Sequence, residues 1–256
     1  MSYEITLIGL AVGVLVGLTG VGGASLLMPI LVLIGIKPSI AVGTDLVYNS
    51  ITKLFGTVQH VRQKTVDYQL MKYLAIGSIP SAVAATILLQ FYQAMYHDQE
   101  KLIKQALGYV LLLVAISMIL LILFRKDNSA NHPQLKTPEE KWKFTVLIGA
   151  ILGFIVGLTS VGSGSLFAVA MMMFYRISSS KLVGTDIAHA FLLVTVSGLL
   201  HAGLGNVDYL LVLNLISGSV PGVLIGSKLS AKVPTKFLRI VISVIIGISG
   251  WKLLYP

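Results

Sequence analysis

Residues 16–27 read VGLTGVGGASLL and lie inside an apolar run that is long enough to enter a membrane. Glycine is unfavourable in the middle of a spanning helix, so this stretch predicts that the helix stops here. The same pattern returns as VGLTSVGSGSLF at residues 156–167. Two interruptions of the same kind indicate that the break is part of the fold.

The composition is that of an integral membrane protein. Of 256 residues, 55% are hydrophobic and only 11% are charged, whereas a soluble domain carries about 25% charged residues. The chain has no cysteine, which excludes disulfides, thiolate metal sites and cysteine nucleophiles. We attribute the net charge of +9 to cytoplasmic loops, where Lys and Arg are enriched, and we expect no nucleic-acid partner.

The sequence contains an internal repeat that extends well beyond the two glycine-rich stretches. Further matches are VGTD at 42–45 and 183–186, VDY at 66–68 and 207–209, and GSIP at 77–80 with GSVP at 218–221. A repeat of this length predicts two homologous halves. We therefore expect a single transmembrane domain, residues 1–256, made of repeat one (1–124), a polar linker (125–142) and repeat two (143–256).

Each half has one long interrupted apolar stretch and three ordinary ones. The ordinary segments are 40–61, 69–91, 104–124, 180–200, 208–229 and 236–255, and the interrupted stretches are about 3–36 and 144–175. As one helix, an interrupted stretch would reach about 50 Å, but the hydrocarbon core is about 30 Å thick. The alternative is a re-entrant hairpin of two shorter helices, with the glycine-rich segment at its tip.

Lysines and arginines decide between these two arrangements. With hairpins, fourteen of these residues fall on one side of the membrane and four on the other; with single crossings they divide evenly. The positive-inside rule expects such a bias, so we favour hairpins. A half with three crossings and a hairpin forces the second half to enter upside down, which is the plan of an inverted-repeat transporter. Both termini are then extracytoplasmic and the linker is cytoplasmic.

The interruptions carry residues suited to binding a small anion. A broken helix exposes amide N–H groups at the start of its second piece, and such ends bind anions. The predicted substrate-binding residues at the two tips are Thr19, Gly20, Gly22, Gly23, Ser25, Thr159, Ser160, Gly162, Ser163, Gly164 and Ser165. The alternative is that these small residues only allow close helix packing.

Ionisable residues inside the spans form a second candidate group. Asp45, Asn49 and Lys53 are spaced by four and share one face of a helix, and Asp186 and His189 lie on the matching helix. Such residues default to functional hypotheses. We assign Asn49, Lys53 and His189 to substrate binding.

We assign Asp45 and Asp186 to coupling or gating, since a buried carboxyl group can carry a coupling proton. Because both follow a VGT segment, the alternative is a helix cap or first-turn acid. Another alternative is a cation or metal carrier with Asp45, Asp186 and His189 as ligands. We expect no resident metal and no cofactor, and no nucleophile–base arrangement indicates an enzyme.

The chain resembles the TauE/SafE family, also called the sulfite exporter or DUF81-type family. The resemblance rests on GVLVGLTGVGGASLLMPIL (13–31), GFIVGLTSVGSGSLF (153–167) and the two VGTD segments, and it covers essentially the whole chain. It implies a multi-pass carrier of the bacterial inner membrane for sulfite, sulfoacetate or a related organosulfonate. The expected partners are a small anionic substrate and the lipid bilayer, with room for a coupling proton or Na⁺ and for a homo-oligomer.

Overall fold

A computed structural model describes residues 3–19, 23–96, 98–124, 137–229 and 235–255. Within these ranges the chain is helical and contains no strand. The helices are α1 (Tyr3–Thr19), α2 (Ala24–Leu33), α3 (Pro38–Arg62), α4 (Tyr68–Tyr96), α5 (Gln99–Phe124), α6 (Trp142–Thr159), α7 (Ser165–Phe174), α8 (Ser179–Gly203), α9 (Tyr209–Leu229) and α10 (Thr235–Leu254). The expected fold class, an all-α polytopic membrane protein, is confirmed for this part of the chain.

Both interrupted stretches are broken where the sequence predicts. The first run is divided into α1 and α2, and the second into α6 and α7. In the second break Ser160 is left-handed with φ 60°, and Gly162 has φ 99°. An L side chain rarely adopts this backbone conformation, so a glycine at position 162 permits the turn. The six uninterrupted segments correspond to α3, α4, α5, α8, α9 and α10, each within a few residues of its predicted bounds.

Five of the described helices are long and apolar enough to cross a membrane. Their ranges are Tyr68–Tyr96, Gln99–Ile119, Trp142–Thr159, Ser179–Gly203 and Tyr209–Leu229. Although α3 has 25 residues, it is more polar than these five because it carries Asp45, Asn49 and Lys53 along its length. The most polar helix of the bundle is therefore the one that brings predicted site residues into its interior.

The first helix of each half packs along the fourth helix of the other half. A methyl group added at Gly9 of α1 would lie 2.5 Å from the carbonyl oxygen of Leu215, and one at Gly17 would lie 2.5 Å from that of Val223. The residue numbers of the contacting pairs increase together along both helices, so α1 and α9 run in the same direction with their backbones in contact. Helices α6 and α4 pack in the same way.

Matching helices of the two halves run in opposite directions where they touch. In the α3–α8 pair, Ser50 Oγ lies 2.7 Å from Thr195 Oγ1, while Thr57, further along α3, donates to the carbonyl of Ile187, earlier in α8, at 3.5 Å. Helices α5 and α10 are also antiparallel at their contact. This relation is compatible with the inverted arrangement expected from the distribution of basic residues.

The α1–α2 unit starts and returns at the same end of the bundle. Thr44, near the start of α3, accepts a hydrogen bond from the amide of Asp208, just before α9. Because α1 runs parallel to α9, α1 and α3 both start at this end, and α2 leads back towards it. The returning arms are short: α2 and α7 have 10 residues each, or about 15 Å, which is half of a hydrocarbon core of about 30 Å.

Candidate functional site

The two breaks meet in the interior of the bundle. Ser25 in the first turn of α2 and Ser165 in the first turn of α7 approach each other, with 3.3 Å between their hydroxyl oxygens. They are 140 residues apart, which is the offset of the repeat, so they are equivalent positions of the two halves. The contact brings the amino-terminal ends of two short helices together, and both ends carry partial positive charge.

Among the described residues, the N-cap positions of these two helices provide no side-chain cap. Gly23 precedes α2 and Gly164 precedes α7, and neither position supplies a side-chain acceptor for the first amide groups. The serines around them are buried: Ser25, Ser160 and Ser163 are each 1% exposed. The arrangement thus combines helix N-termini with hydroxyl groups in a place that is closed to bulk solvent.

Asp45 on α3 anchors the second tip, which is the segment 160–164 between α6 and α7. Its side chain is completely buried, and its Oδ2 accepts a hydrogen bond from Ser160 Oγ at 2.7 Å. Asn49, one turn later, donates from Nδ2 to the Asp45 carbonyl at 2.9 Å. The other carboxyl oxygen, Oδ1, has no hydrogen-bond partner among the described residues. The left-handed Ser160 is therefore held by a carboxylate from the other half of the chain.

Lys53 contacts the same tip two turns further along α3. Its Nζ donates to the carbonyl oxygen of Ser163 at 3.3 Å and lies 3.5 Å from the Ser163 hydroxyl. The side chain is partly buried. The predicted stripe of Asp45, Asn49 and Lys53 is thus a real face of α3, and it contacts the tip at Ser160 and Ser163.

The corresponding face of α8 lacks two of these three polar groups. At the repeat offset, Asp186 matches the first acid, but Ala190 and Val194 replace the amide and the lysine. The two serines held in the second tip correspond to glycines in the first tip, Gly20 and Gly23. The polar contacts between tip and long helix are therefore built into one half of the sequence only.

Asp186 has few contacts of its own. It is 8% exposed, and its Oδ1 has no hydrogen-bond partner within the described ranges. It lies close enough to Lys53 to interact electrostatically. The next candidate on α8 is His189, which is fully buried. Its Nε2 shares a hydrogen bond with Ser78 Oγ at 2.8 Å, and its ring packs on that of Phe167 with 4.4 Å between the ring centres.

Four further predicted residues contribute less, or lie at or beyond the edge of the described residues. The Thr159 hydroxyl donates to the carbonyl of Ile155 in its own helix at 2.8 Å, so its proton is not available to a ligand. Gly20 and Gly22 lie outside the described residues, and Thr19 is described only as the last residue of α1.

The cap hypothesis for the two acids is wrong. Asp45 and Asp186 are each the eighth residue of their helix, because α3 starts at Pro38 and α8 at Ser179. The VGT segments that precede them are helical as well. A carboxylate two turns into a helix cannot satisfy the first free amides, so these acids have another role.

The VGT segments have a packing role that sequence reasoning missed. Thr185 Oγ1 accepts from the amide of Asp67 at 2.9 Å, and Thr44 Oγ1 accepts from the amide of Asp208 at 3.1 Å. We call these two symmetric hydrogen bonds the cross-repeat latches. Each joins the start of one long helix to the loop that precedes α4 or α9. The signal was present as VGT and VD at the same spacing in both halves.

Ser78 is a neighbour of the predicted site residue His189 that the sequence does not mark. It contacts His189 from α4, and a methyl group at Gly153 of α6 would lie 2.3 Å from its carbonyl oxygen.

Among the described residues, no group of three His, Asp or Glu side chains is placed to hold a metal ion. Asp45, Asp186 and His189 accordingly form no ligand cluster there, and this geometry gives the metal-carrier alternative no support.

Comparison with known proteins agrees with the resemblance seen in the sequence. The family model described as "Sulfite exporter TauE/SafE" matches residues 5–253. The probable membrane transporter protein YjnA of Bacillus subtilis (strain 168) is 58% identical over 254 residues, covering 99% of this chain and 100% of that protein. YunE of the same strain, also named a probable membrane transporter protein, is 25% identical and covers 100% of this chain and 98% of its own length.

A third relative has a similar level of identity. The probable membrane transporter protein MJ0441 of Methanocaldococcus jannaschii is 26% identical over 263 residues, covering 95% of this chain and 92% of that protein. No solved structure matches the chain. The extent of the family match and the identity to YjnA, together with helices that are long and apolar enough to span, show that the chain is a multi-pass membrane protein that belongs to the TauE/SafE family of probable membrane transporters.

Proposed function

We propose that this protein is a secondary transporter of a small sulfur-containing anion, namely sulfite, sulfoacetate or a related organosulfonate. The observation that carries the proposal is the contact of the two tips, where Ser25 and Ser165 lie 3.3 Å apart. The family description names sulfite export, and the tip chemistry suits an oxyanion. The relatives of the chain are named as probable membrane transporters, so we propose transport rather than catalysis.

An anion between the tips would be bound by three kinds of group. The uncapped starts of α2 and α7 offer amide N–H groups and partial positive charge. Ser25 and Ser165 offer hydroxyl donors, and Lys53 offers a full positive charge from α3. Glycines at the tips let the ligand approach the backbone closely. A sulfonate or sulfite group, with three oxygens on one sulfur atom, can accept from several of these donors at once.

Transport requires that the tips move, because the site is closed. Ser25, Ser160 and Ser163 are 1% exposed and Ser165 is 9% exposed, so no substrate reaches them in this conformation. Each tip ends a hairpin with a short returning arm. We propose that the two hairpins open alternately, one towards each side of the membrane, around an anion held at their contact.

The proposed orientation follows from the basic residues and the antiparallel helix pairs. With inverted repeats and two re-entrant hairpins, both termini lie outside the cell and the linker lies in the cytoplasm. Residues 125–136 of that linker lie outside the described ranges. The proposed location is the inner membrane of a bacterial cell, and a homo-oligomer is compatible with this arrangement.

The direct test is exchange of labelled anion by the purified protein in liposomes. Liposomes loaded with unlabelled sulfite or sulfoacetate should take up the same labelled anion, and Gly162→Leu should abolish this exchange. Gly162 has φ 99°, and an added Cβ would lie 2.7 Å from Leu166 Cδ1, so leucine cannot preserve the turn. Gly203→Leu is the matched control because nothing lies within 4 Å of its Cβ position.

Three outcomes would contradict the proposal. The unmodified protein could exchange neither anion, Gly162→Leu could exchange at the unmodified rate, or a divalent metal could be transported instead. Thermal stabilisation by a divalent metal that is lost in Asp45→Asn would favour the metal carrier, because a ligand stabilises the state that it binds.

A further inference from the structure

We propose that Asp186 binds the proton that drives transport, and that its protonation releases Lys53 to bind the anion. The inference rests on the proposed transport function and adds the identity of the co-transported ion and the group that carries it. It assigns different roles to two acids that occupy equivalent positions of the repeat. In this scheme Asp45 is an anchor of the second tip and Asp186 is the proton carrier.

The two carboxyl groups differ in what they contact. The Asp45 carboxylate accepts a hydrogen bond at Oδ2 from Ser160 Oγ at 2.7 Å. A carboxylate that accepts such a bond is stabilised in its charged form. Oδ1 is buried without a partner in both acids, but Asp45 has the Ser160 donor at Oδ2. No described residue donates a hydrogen bond to the Asp186 carboxylate, so of the two it is the group that gains more from binding a proton.

The charge balance of the site requires a proton. Two carboxylates and one ammonium group would leave one negative charge in an apolar interior if all three were ionised, and such a charge is costly. Lys53 lies near both acids and interacts electrostatically with each of them. In the structure Lys53 donates to the Ser163 carbonyl of the second tip, and in the proposed scheme this is its position when Asp186 is neutral. When Asp186 is ionised, it competes with any anion for the charge of Lys53.

The other titratable groups near Asp186 have different surroundings. His189, on the same helix, is bound at Nε2 to Ser78. His60 of α3 is bound at Nδ1 to Thr65, and Asp67, before α4, caps that helix by accepting from two of its amides. In the first turns of α4, Tyr68 and Lys72 are exposed and Tyr73 is partly buried, and α7 has no titratable residue.

Competition for Lys53 links proton and anion binding. Addition of a proton turns the Asp186 carboxylate into a neutral acid, and the freed ammonium group then attracts the anion. By linkage, each ligand increases the affinity for the other by the same factor. The proton and the anion therefore move in the same direction through the membrane, and proton uptake per anion bound is about one.

The matched pair Asp186→Asn and Asp45→Asn tests the assignment. With sulfoacetate, whose own charge is constant near neutral pH, the apparent Kd of the unmodified protein should fall up to about tenfold for each unit of decreasing pH. Asp186→Asn should bind with an affinity that does not change with pH, and Asp45→Asn should keep the dependence. Asp186→Glu should restore it. A pH dependence that survives in Asp186→Asn, or that disappears only in Asp45→Asn, overturns the proposal.

Two measurements on the unmodified protein keep the test decisive if a variant fails to fold. Addition of anion to protein in weakly buffered detergent solution should remove about one proton per protein from solution. A proton gradient directed into the liposomes, with the outside more acidic and Na⁺ absent, should drive accumulation of labelled anion inside them. No proton uptake, or accumulation that needs Na⁺ instead, overturns the proposal. If the protein neither binds nor exchanges sulfite or sulfoacetate, the proposed function itself fails.

Discussion

At the residue scale, the second tip depends on one hydroxyl group, that of Ser160. Its loss in Ser160→Ala leaves a buried carboxylate oxygen of Asp45 without a donor. Such a change costs about 1–3 kcal/mol. We expect a lower apparent Tm in detergent, measured by intrinsic fluorescence during heating.

The control for this substitution is Ser180→Ala in the exposed first turn of α8, which should leave the Tm unchanged. Ser160→Gly distinguishes the effect of losing the hydroxyl group from that of backbone strain, because glycine tolerates the left-handed φ of 60° without strain. It should be less destabilising than Ser160→Ala. If Ser160→Ala unfolds at the same temperature as the unmodified protein, Asp45 does not anchor the tip.

Residues that stand out chemically were predictable, and residues defined by their partners were not. Asp45 and Lys53 are conspicuous in the sequence because charge is rare in a membrane segment, and the structure places both against the second tip. The contact of His189 with Ser78 was not predictable, since it depends on how α4 packs against α8. A serine in a membrane helix is common and carries no such signal by itself.

At the scale of elements, glycines set how closely the helices of the two halves approach. A methyl group at Gly153 of α6 would lie 2.3 Å from the carbonyl oxygen of Ser78, and one at the equivalent Gly13 of α1 would lie 2.5 Å from that of Ser219. Both neighbours are backbone atoms and cannot move aside. Gly153→Ala should therefore destabilise the protein by about 1–3 kcal/mol, seen as a lower apparent Tm and a smaller folded fraction in size-exclusion chromatography.

Gly247→Ala is the matched control in the middle of α10. Its Cβ would make only an ordinary contact of 3.5 Å with Ala115, and alanine is the better helix former by about 0.5–1 kcal/mol. The Tm should stay the same or rise. Equal effects of the two substitutions would mean that the α4–α6 approach is not set by Gly153.

The interruptions were predictable at this scale, and the helix starts were less so. Two glycine-rich stretches in overlong apolar runs predicted both breaks, and the structure has them. Hydropathy predicts that α3 starts at residue 40, whereas the helix starts at Pro38, because proline suits the first helical turn. Ser178 gives the same signal for α8, since its side chain accepts from the amide of Lys181.

At the scale of the whole molecule, the two halves are joined by contacts that no single half could make. The cross-repeat latches tie Thr44 to Asp208 and Thr185 to Asp67, at the starts of the two antiparallel long helices. The repeat was visible in the sequence, but which helix of one half packs on which of the other was not. That choice is made by backbone approach along α1–α9 and α4–α6, and it requires three-dimensional fit of both halves at once.

The orientation of the halves is the prediction that belongs to the whole molecule. The loops at Gln63 and Asn206 follow α3 and α8, which run antiparallel, so they lie at opposite ends of that pair. The chain has no native cysteine, so a cysteine placed at the exposed Gln63 or at the partly exposed Asn206 is the only thiol. The loop HVRQKTVD (60–67) is basic and HAGLGNVD (201–208) is not, so the first should face the cytoplasm.

In intact cells an impermeant maleimide should label Asn206→Cys at once and Gln63→Cys only after permeabilisation. Labelling of Gln63→Cys alone would reverse the orientation, and labelling of both from outside would contradict the inversion of the second half.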